Sequence, residues 1–382
     1  MNESGVNAHD FGVNGLQPGK QLLNAKVAQS VDAVRLALKS RYVQGHGGGG
    51  FVKFETWSAA STAGQLLAGR GLILPAPNHS CRPSCSPDTN ALEQWDNQPM
   101  SITYKDAAGI EGMRVAGKLA SEVLDYLTPF IKPGLTTNEI DRLAHDYMTQ
   151  VQGTIPATLG YQPPGYGAYP KSLCTSVNHQ VCHGIPNDKP LKKGDIVNID
   201  VTVIKDGWHG DTSRMYMVGE ASIAAKRLCA ITYEAMWQGI MLVKPGIRLG
   251  DIGFAIQTFA EKQGFSIVRE FCGHGVGAKF HEDPQVLHYG RPGTLEMLKP
   301  GMTFTIEPMI NAGKREIKDG PEKDGWSIVT RDHSLSAQWE HTILVTETGY
   351  EVLTLSSGSP PLPAFVMPQQ VSQQPQVEPS QA

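Results

Sequence analysis

Four carboxylates lie where a folded chain rarely tolerates them. Asp200 sits within Ile199-Asp200-Val201-Thr202-Val203 and Glu307 within Ile306-Glu307-Pro308-Met309-Ile310, both apolar runs of strand character. Asp211, in Trp208-His209-Gly210-Asp211-Thr212, leads into the run from Met215 to Val218. Glu340, in Gln338-Trp339-Glu340-His341-Thr342, leads into Ile343-Leu344-Val345. Ionised acids are seldom fully buried unless paired or bound to metal. Gathered together, four of them repel one another until cations neutralise them. Two divalent cations balance four carboxylates, and a hydroxide held between them leaves about one net negative charge. His274, in Cys272-Gly273-His274-Gly275-Val276-Gly277, adds a nitrogen ligand on a glycine-rich turn. Oxygen ligands with one imidazole and no thiolate suit Mn, Fe, Co or Zn rather than a structural zinc site. The same glycines do not make a dinucleotide loop, because the spacing departs from G-x-G-x-x-G and no acid closes a βαβ unit.

Taken singly, each of these acids is more simply a surface residue between apolar neighbours. An internal repeat changes that judgement. Ile131-Lys132-Pro133-Gly134-Leu135, followed by Glu139-Ile140, matches Val243-Lys244-Pro245-Gly246-Ile247, followed by Asp251-Ile252, 112 residues on (132 to 244). Amphipathic helices are predicted on both sides of each turn: Val115 to Phe130 and Ile140 to Val151, then Ala224 to Leu242 and Ile252 to Gln263. Leu191-Lys192-Lys193-Gly194 leads to Asp200 as Leu298-Lys299-Pro300-Gly301 leads to Glu307, 107 residues apart (200 to 307). One Lys-Pro-Gly match is a common turn. Two in the same order indicate duplication, and hence two halves related by a pseudo-twofold axis, each bringing two acids to the junction.

Composition limits the alternatives. The chain has 382 residues, 33 Lys plus Arg against 37 Asp plus Glu and a net charge of −4, which gives no electrostatic footprint for nucleic acid or anionic membrane. No apolar run reaches the ~18 residues of a membrane span, and the first residues lack a secretory pattern. Six cysteines are too sparse for a disulfide scaffold and read as free thiols in a reducing cytoplasm. Residues 100–355 alternate helical and strand patterns, as one α/β or α+β domain does. Residues 1–99 hold one helical pattern (Val27, Val31, Val34, Leu38), a glycine run and a Pro/Cys/Ser-rich stretch. They are read as a mostly disordered extension or a mis-assigned start. His79, Cys81 and Cys85 are too few for a zinc knuckle without a second C-x-x-C. Residues 356–382, rich in Ser, Pro and Gln, are read as a disordered tail.

Tyr169-Pro170-Lys171-Ser172-Leu173-Cys174-Thr175-Ser176-Val177-Asn178, Val181-Cys182-His183-Gly184-Ile185-Pro186, Asn198-Ile199-Asp200-Val201, Gly210-Asp211-Thr212, Gly273-His274-Gly275-Val276-Gly277, Thr305-Ile306-Glu307-Pro308-Met309 and Ser336-Ala337-Gln338-Trp339-Glu340-His341-Thr342 together resemble type I methionine aminopeptidase over about residues 100–355. The resemblance implies a pita-bread fold, two pseudo-symmetric αβ halves with antiparallel sheet around a dinuclear centre. It implies removal of the initiator methionine from nascent polypeptides at the ribosome, by a monomeric cytoplasmic enzyme. The implied ligands are Asp200, Asp211, His274, Glu307 and Glu340, with Asp211 and Glu340 bridging. They are the set the repeat reached, apart from the bridging roles.

By the same resemblance, a metal-bridging hydroxide attacks the first peptide carbonyl while Glu307 carries the proton. His183 contacts the substrate amide nitrogen and His281 the developing oxyanion. His209, His288 and His341 have no such match and read as structural. Tyr166, Tyr169, Cys174, Phe280 and Trp326 form the implied methionine pocket, with Gln162-Pro163-Pro164-Gly165 an extra loop beside it. His179 and Gln180 depart from the acidic-apolar pair common there. Only 33 residues separate His274 from Glu307 (274 to 307), which leaves no space for the long type II insertion. An X-Pro aminopeptidase or dipeptidase on the same scaffold, and a binding protein that has lost its metals, are the competing classes.

Overall fold

The computed structural model describes residues 102–320 and 324–366. The leading segment read as an extension, with its helical pattern and its His79-Cys81-Cys85 group, lies outside the described residues. Asp106 opens helix α1 (Ala107–Leu127), its carboxylate accepting from the Gly109 N–H at 2.8 Å. That cap starts the helix eight residues before the Val115 expected from periodicity, because the signal lies in the cap and not in the apolar stripe. A short 3₁₀ turn (Thr128–Phe130) ends it, and the Lys132-Pro133-Gly134 turn leads to α2 (Thr137–Asp146). There Thr136 and Glu139 satisfy each other's backbone N–H groups in a capping box. A π-helical turn (Tyr147–Gln152) follows α2.

The strands of the first half are β1 (Ile155–Pro156), β2 (Cys174–Val177), β3 (Gln180–Cys182), β4 (Ile196–Lys205) and β5 (Trp208–Met217). The second half opens with α3 (Ile223–Ile240) and α4 (Leu249–Lys262). Its strands are β6 (Ser266–Ile267), β7 (Gly273–Gly275), β8 (Glu282–Val286), β9 (Thr303–Ile306), β10 (Met309–Asn311), β11 (Ile317–Asp319), β12 (Ile328–Thr330), β13 (Ser336–Gln338), β14 (His341–Val345) and β15 (Tyr350–Val352). In the first half β4 is the spine, paired antiparallel with β5 on one edge and with β1 and β2 on the other. In the second, β15-β14-β9-β7-β8 form one antiparallel sheet. Two three-stranded sheets, β13-β10-β6 and β11-β12-β3, complete the framework.

Strand periodicity explains why acids occur in apolar runs. In β4, Val197, Ile199, Val201 and Val203 point beneath α1 and α2 with Leu124, Leu127 and Ile140. The two-residue repeat therefore turns Asn198, Asp200 and Thr202 to the other face. In β9, Phe304 and Ile306 join the core beneath α3 and α4 with Trp237, Ile252 and Ile256, leaving Thr303, Thr305 and Glu307 opposite.

The duplication is visible bond by bond. Gly134 and Gly246 both turn through left-handed backbone, at φ +92° and +89°. Gly134 N–H donates to Leu191 O and Gly246 N–H to Leu298 O, at 2.8 and 3.0 Å. Leu191 and Leu298 return the bond to Leu135 and Ile247. Gly194 and Gly301 then donate to Val218 and Val345, the ends of the strand runs behind Asp211 and Glu340.

The composition of residues 356–382 predicts a disordered tail, whereas residues 356–366 are held. Asp125 accepts from the Ser356 hydroxyl and the Gly358 N–H, and Leu362, Phe365 and Val366 pack on the second core. A few apolar anchors in a Pro-rich stretch suffice once a groove is present. No helix among the described residues is long and apolar enough to cross a membrane.

Candidate metal centre

The polar faces of the two halves meet at one cavity of about 660 Å³, lined by Asp200, Asp211, His274, Glu307 and Glu340. Asp200 and Asp211 come from adjacent strands β4 and β5, Glu307 from the end of β9 and Glu340 from the step into β14. Asp211, His274 and Glu340 offer ligand atoms all within 4.8 Å of one another. Two glycines make the approach possible. A Cβ on Gly210 would meet the Ala116 carbonyl of α1 at 2.1 Å, and one on Gly273 would meet the Thr305 carbonyl at 2.3 Å.

His274 Nδ1 donates to the Gly275 carbonyl at 2.9 Å, which leaves Nε2 as a lone pair facing the acids. That nitrogen stands 3.6 Å from Asp211 Oδ2 and 3.6 Å from Glu307 Oε1. The gaps are too long for a good hydrogen bond and suit atoms that converge on a cation at ~2.0–2.2 Å. Burial holds the His274 imidazole neutral, with its pKa down to about 4. Asp211 and Glu307 are braced by hydrogen bonds, and Glu340 keeps an oxygen free. Thr202 donates to Asp211 Oδ1 at 2.7 Å, Thr305 to Glu307 Oε1 at 2.8 Å and Gln338 Nε2 to Glu307 Oε2 at 3.1 Å. Glu340 Oε2 is buried with no partner.

Without cations this cluster resists ionisation. Burial pushes Asp200 up to about 7, and burial together with the neighbouring acids drives Asp211, Glu307 and Glu340 well above the carboxylate range. Mutually repelling acids, an orphan carboxylate oxygen and an imidazole lone pair aimed among them fit a divalent-metal site.

The walls carry the remaining expected residues. Tyr169, Cys174 and Trp326 form one buried cluster with Tyr161, Tyr166 and Ile185 packed on it. Trp326 meets Tyr166 at 5.0 Å and stands edge-on to Tyr169 at 5.1 Å between ring centroids. Phe280 lines the same cavity from another side, packed on Tyr161 and His281. His183, at φ +55°, faces Phe271 and Trp326. Burial lowers its pKa to about 4. His281 opens on the cavity with its ring 4.1 Å from that of His274.

The three histidines read as structural make structural contacts. His209 Nδ1 donates to Gly277 O, His288 Nε2 accepts from Glu307 N–H, and His341 pairs with Thr354. Sequence reasoning missed Tyr161, whose hydroxyl meets His281 Nδ1 at 2.8 Å, and Gln338, which braces Glu307. Strand alternation could have drawn attention to Gln338, two residues before Glu340. Tyr161 is placed by loop closure, which no periodicity reports.

With this geometry established, comparison with known proteins gives concordant matches. The sequence profile described as metallopeptidase family M24 matches residues 111–347. The methionine aminopeptidase of Escherichia coli strain K12 is 58% identical over 257 residues, covering 67% of this chain and 95% of that one. The crystal structure of methionine aminopeptidase from Rickettsia prowazekii is similar with a TM-score of 0.64 at 56% identity, covering 66% of this chain and 100% of that chain. Prolidase from Pyrococcus furiosus shares the fold at 22% identity and a TM-score of 0.53, covering 66% and 65% of the two chains. The chain belongs to metallopeptidase family M24, with its pita-bread architecture and its dependence on divalent metal, and within it to the methionine aminopeptidases.

Proposed function

We propose that this chain removes methionine from the N-termini of nascent polypeptides by hydrolysing the first peptide bond, with preference for a small second residue. It does so as a cytoplasmic monomer meeting its substrates at the ribosome. The observation that carries the reading is one cavity in which a carboxylate–imidazole cluster faces an aromatic pocket.

Asp200, Asp211, His274, Glu307 and Glu340 would hold two divalent ions, with Asp211 and Glu340 shared between them. When bound, such a pair supplies Lewis acidity and a water-derived nucleophile at neutral pH. The chain's own groups do the rest. Glu307, braced by Thr305 and Gln338, takes a proton at a carboxylate oxygen and returns it to the departing amine. His183 orients the scissile amide nitrogen, and His281 donates a hydrogen bond where negative charge develops on the carbonyl oxygen. Tyr166, Tyr169, Cys174, Phe280 and Trp326 enclose the methionine thioether, with sulfur–ring contacts worth about 0.3–1.5 kcal/mol each and apolar burial contributing more.

A peptide pair tests the reading. Free methionine should be released from Met-Ala-Ser, with Ala-Pro substrates left intact. Cleavage of Ala-Pro alone would move the chain to the prolidase side of the fold.

A further inference from the structure

We infer that Tyr161 is a positioning residue: its hydroxyl fixes the ring and tautomer of His281, so that Nε2–H is the edge presented to the cavity. The inference rests on the proposed role of His281 at the oxyanion.

Tyr161 is itself held rigidly. Its N–H donates to Thr158 O at 3.0 Å and its carbonyl accepts from Tyr169 N–H at 2.8 Å, while Gly160 N–H donates to Tyr169 O at 2.8 Å. These bonds form the neck of the extra loop, which is closed internally by Gln162 Nε2 to Tyr166 O and Tyr166 N–H to Pro163 O, both 3.1 Å. The Tyr161 ring packs on Phe280 at 4.9 Å and stacks on His281 at 5.2 Å with 27° between planes. Its hydroxyl then lies 2.8 Å from His281 Nδ1.

The backbone beside His281 is anchored as well. The adjacent Glu282 carboxylate accepts from Lys105 Nζ at 2.7 Å, from Lys279 N–H at 3.0 Å and from the Thr103 hydroxyl. With the loop pinned, ring rotation is the remaining freedom of His281, and the Tyr161 bond removes it.

The chemistry gives the direction. A neutral imidazole has one donor and one acceptor nitrogen. Burial raises the Tyr161 pKa and keeps its proton in place, and among the described residues His281 Nδ1 is the hydroxyl's hydrogen-bond partner. With the phenol as donor, Nδ1 accepts and the ring proton resides on Nε2, the nitrogen free to meet substrate. The opposite tautomer would present a lone pair to an oxyanion and repel it.

The test uses the full-length chain loaded with diamagnetic zinc and ¹⁵N-labelled histidine, with His281→Ala assigning the resonance. Wild type should show His281 Nδ1 unprotonated and Nε2 protonated, and Tyr161→Phe should show a mixture of tautomers. In turnover of Met-Ala-Ser, Tyr161→Phe should lower kcat about tenfold and leave KM within about twofold, since the ring that packs remains and only the hydroxyl is lost. A proton on Nδ1 in wild type, or an unchanged kcat in Tyr161→Phe alongside a crippled His281→Ala, would overturn the inference. A His281→Ala enzyme of full activity would instead defeat the catalytic reading of His281, and the spectrum would still decide the hydrogen bond.

Discussion

Asp211 and Glu340 are tied to each other across the seam between the two halves. The Thr212 hydroxyl donates to the Glu340 carbonyl and the Thr342 hydroxyl to the Asp211 carbonyl, each at 2.7 Å. Glu340 N–H also donates to Ser213 O at 3.3 Å. The main-chain positions of the two acids are therefore fixed relative to each other across the seam. A rigid pair of this kind can be shared between two ions without ordering itself on each binding event.

Asp211→Asn keeps the shape and removes one charge from this pair. Bound metal after mild dialysis should fall below the wild-type content, and turnover of a Met-Ala peptide supplemented with Mn, Fe or Co should drop at least about a hundredfold. Full activity in the variant would contradict the shared role.

Metal-free protein should lose stability as pH rises above 6.5. The folded-state pKa of Asp200 is raised to about 7 and those of Asp211, Glu307 and Glu340 are raised further by burial and mutual charge. The unfolded chain has then already released these protons, so stability present at low pH disappears as pH climbs through the folded values. His288 and His341, depressed to about 3 by burial, have the opposite slope but act only below their unfolded value near 6.5. Urea midpoints between pH 6.5 and 8.5 should fall for the metal-free protein and stay level once it is loaded. A flat metal-free profile would argue against the repelling cluster.

Trp326→Ala removes the ring against which Tyr166 and Tyr169 pack. The kcat/KM for Met-Ala-Ser should fall about ten- to a hundredfold, in line with loss of a buried aromatic contact. In wild type, norleucine should remain within about tenfold of methionine, because a pocket of this kind reads shape and desolvation. Strong rejection of norleucine would point instead to a polar contact at the sulfur.

The duplication makes its own stability forecast. Gly134→Ala and Gly246→Ala each place a Cβ on left-handed backbone in open space. Each should cost about 1 kcal/mol, and the two should match within measurement error. Gly210→Ala drives its Cβ into the Ala116 carbonyl and should cost about 3 kcal/mol, at the upper end for overpacking. Urea denaturation of the three variants distinguishes turn strain from collision.

Much of this architecture was legible in the residues because duplication writes the same turn twice. Lys132-Pro133-Gly134 and Lys244-Pro245-Gly246 identified equivalent positions, and strand alternation carried Asp200 and Glu307 to the face opposite the core. Helix starts were less legible. α1 begins at the Asp106 cap and α2 at the Thr136 capping box, local hydrogen bonds that hydrophobic spacing does not encode. The contacts of Tyr161 with His281, Gln338 with Glu307 and Ser356 with Asp125 join residues 120, 31 and 231 positions apart. Only the closed fold brings such partners together.

On the proposed reading, five side chains from two halves of one chain would hold a pair of divalent ions. Anomalous diffraction from crystals of the manganese-loaded protein addresses it directly. Two peaks are expected inside the cavity, within reach of Asp200, Asp211, His274, Glu307 and Glu340. Manganese bound elsewhere, or a cavity that stays empty at saturating metal, would contradict it.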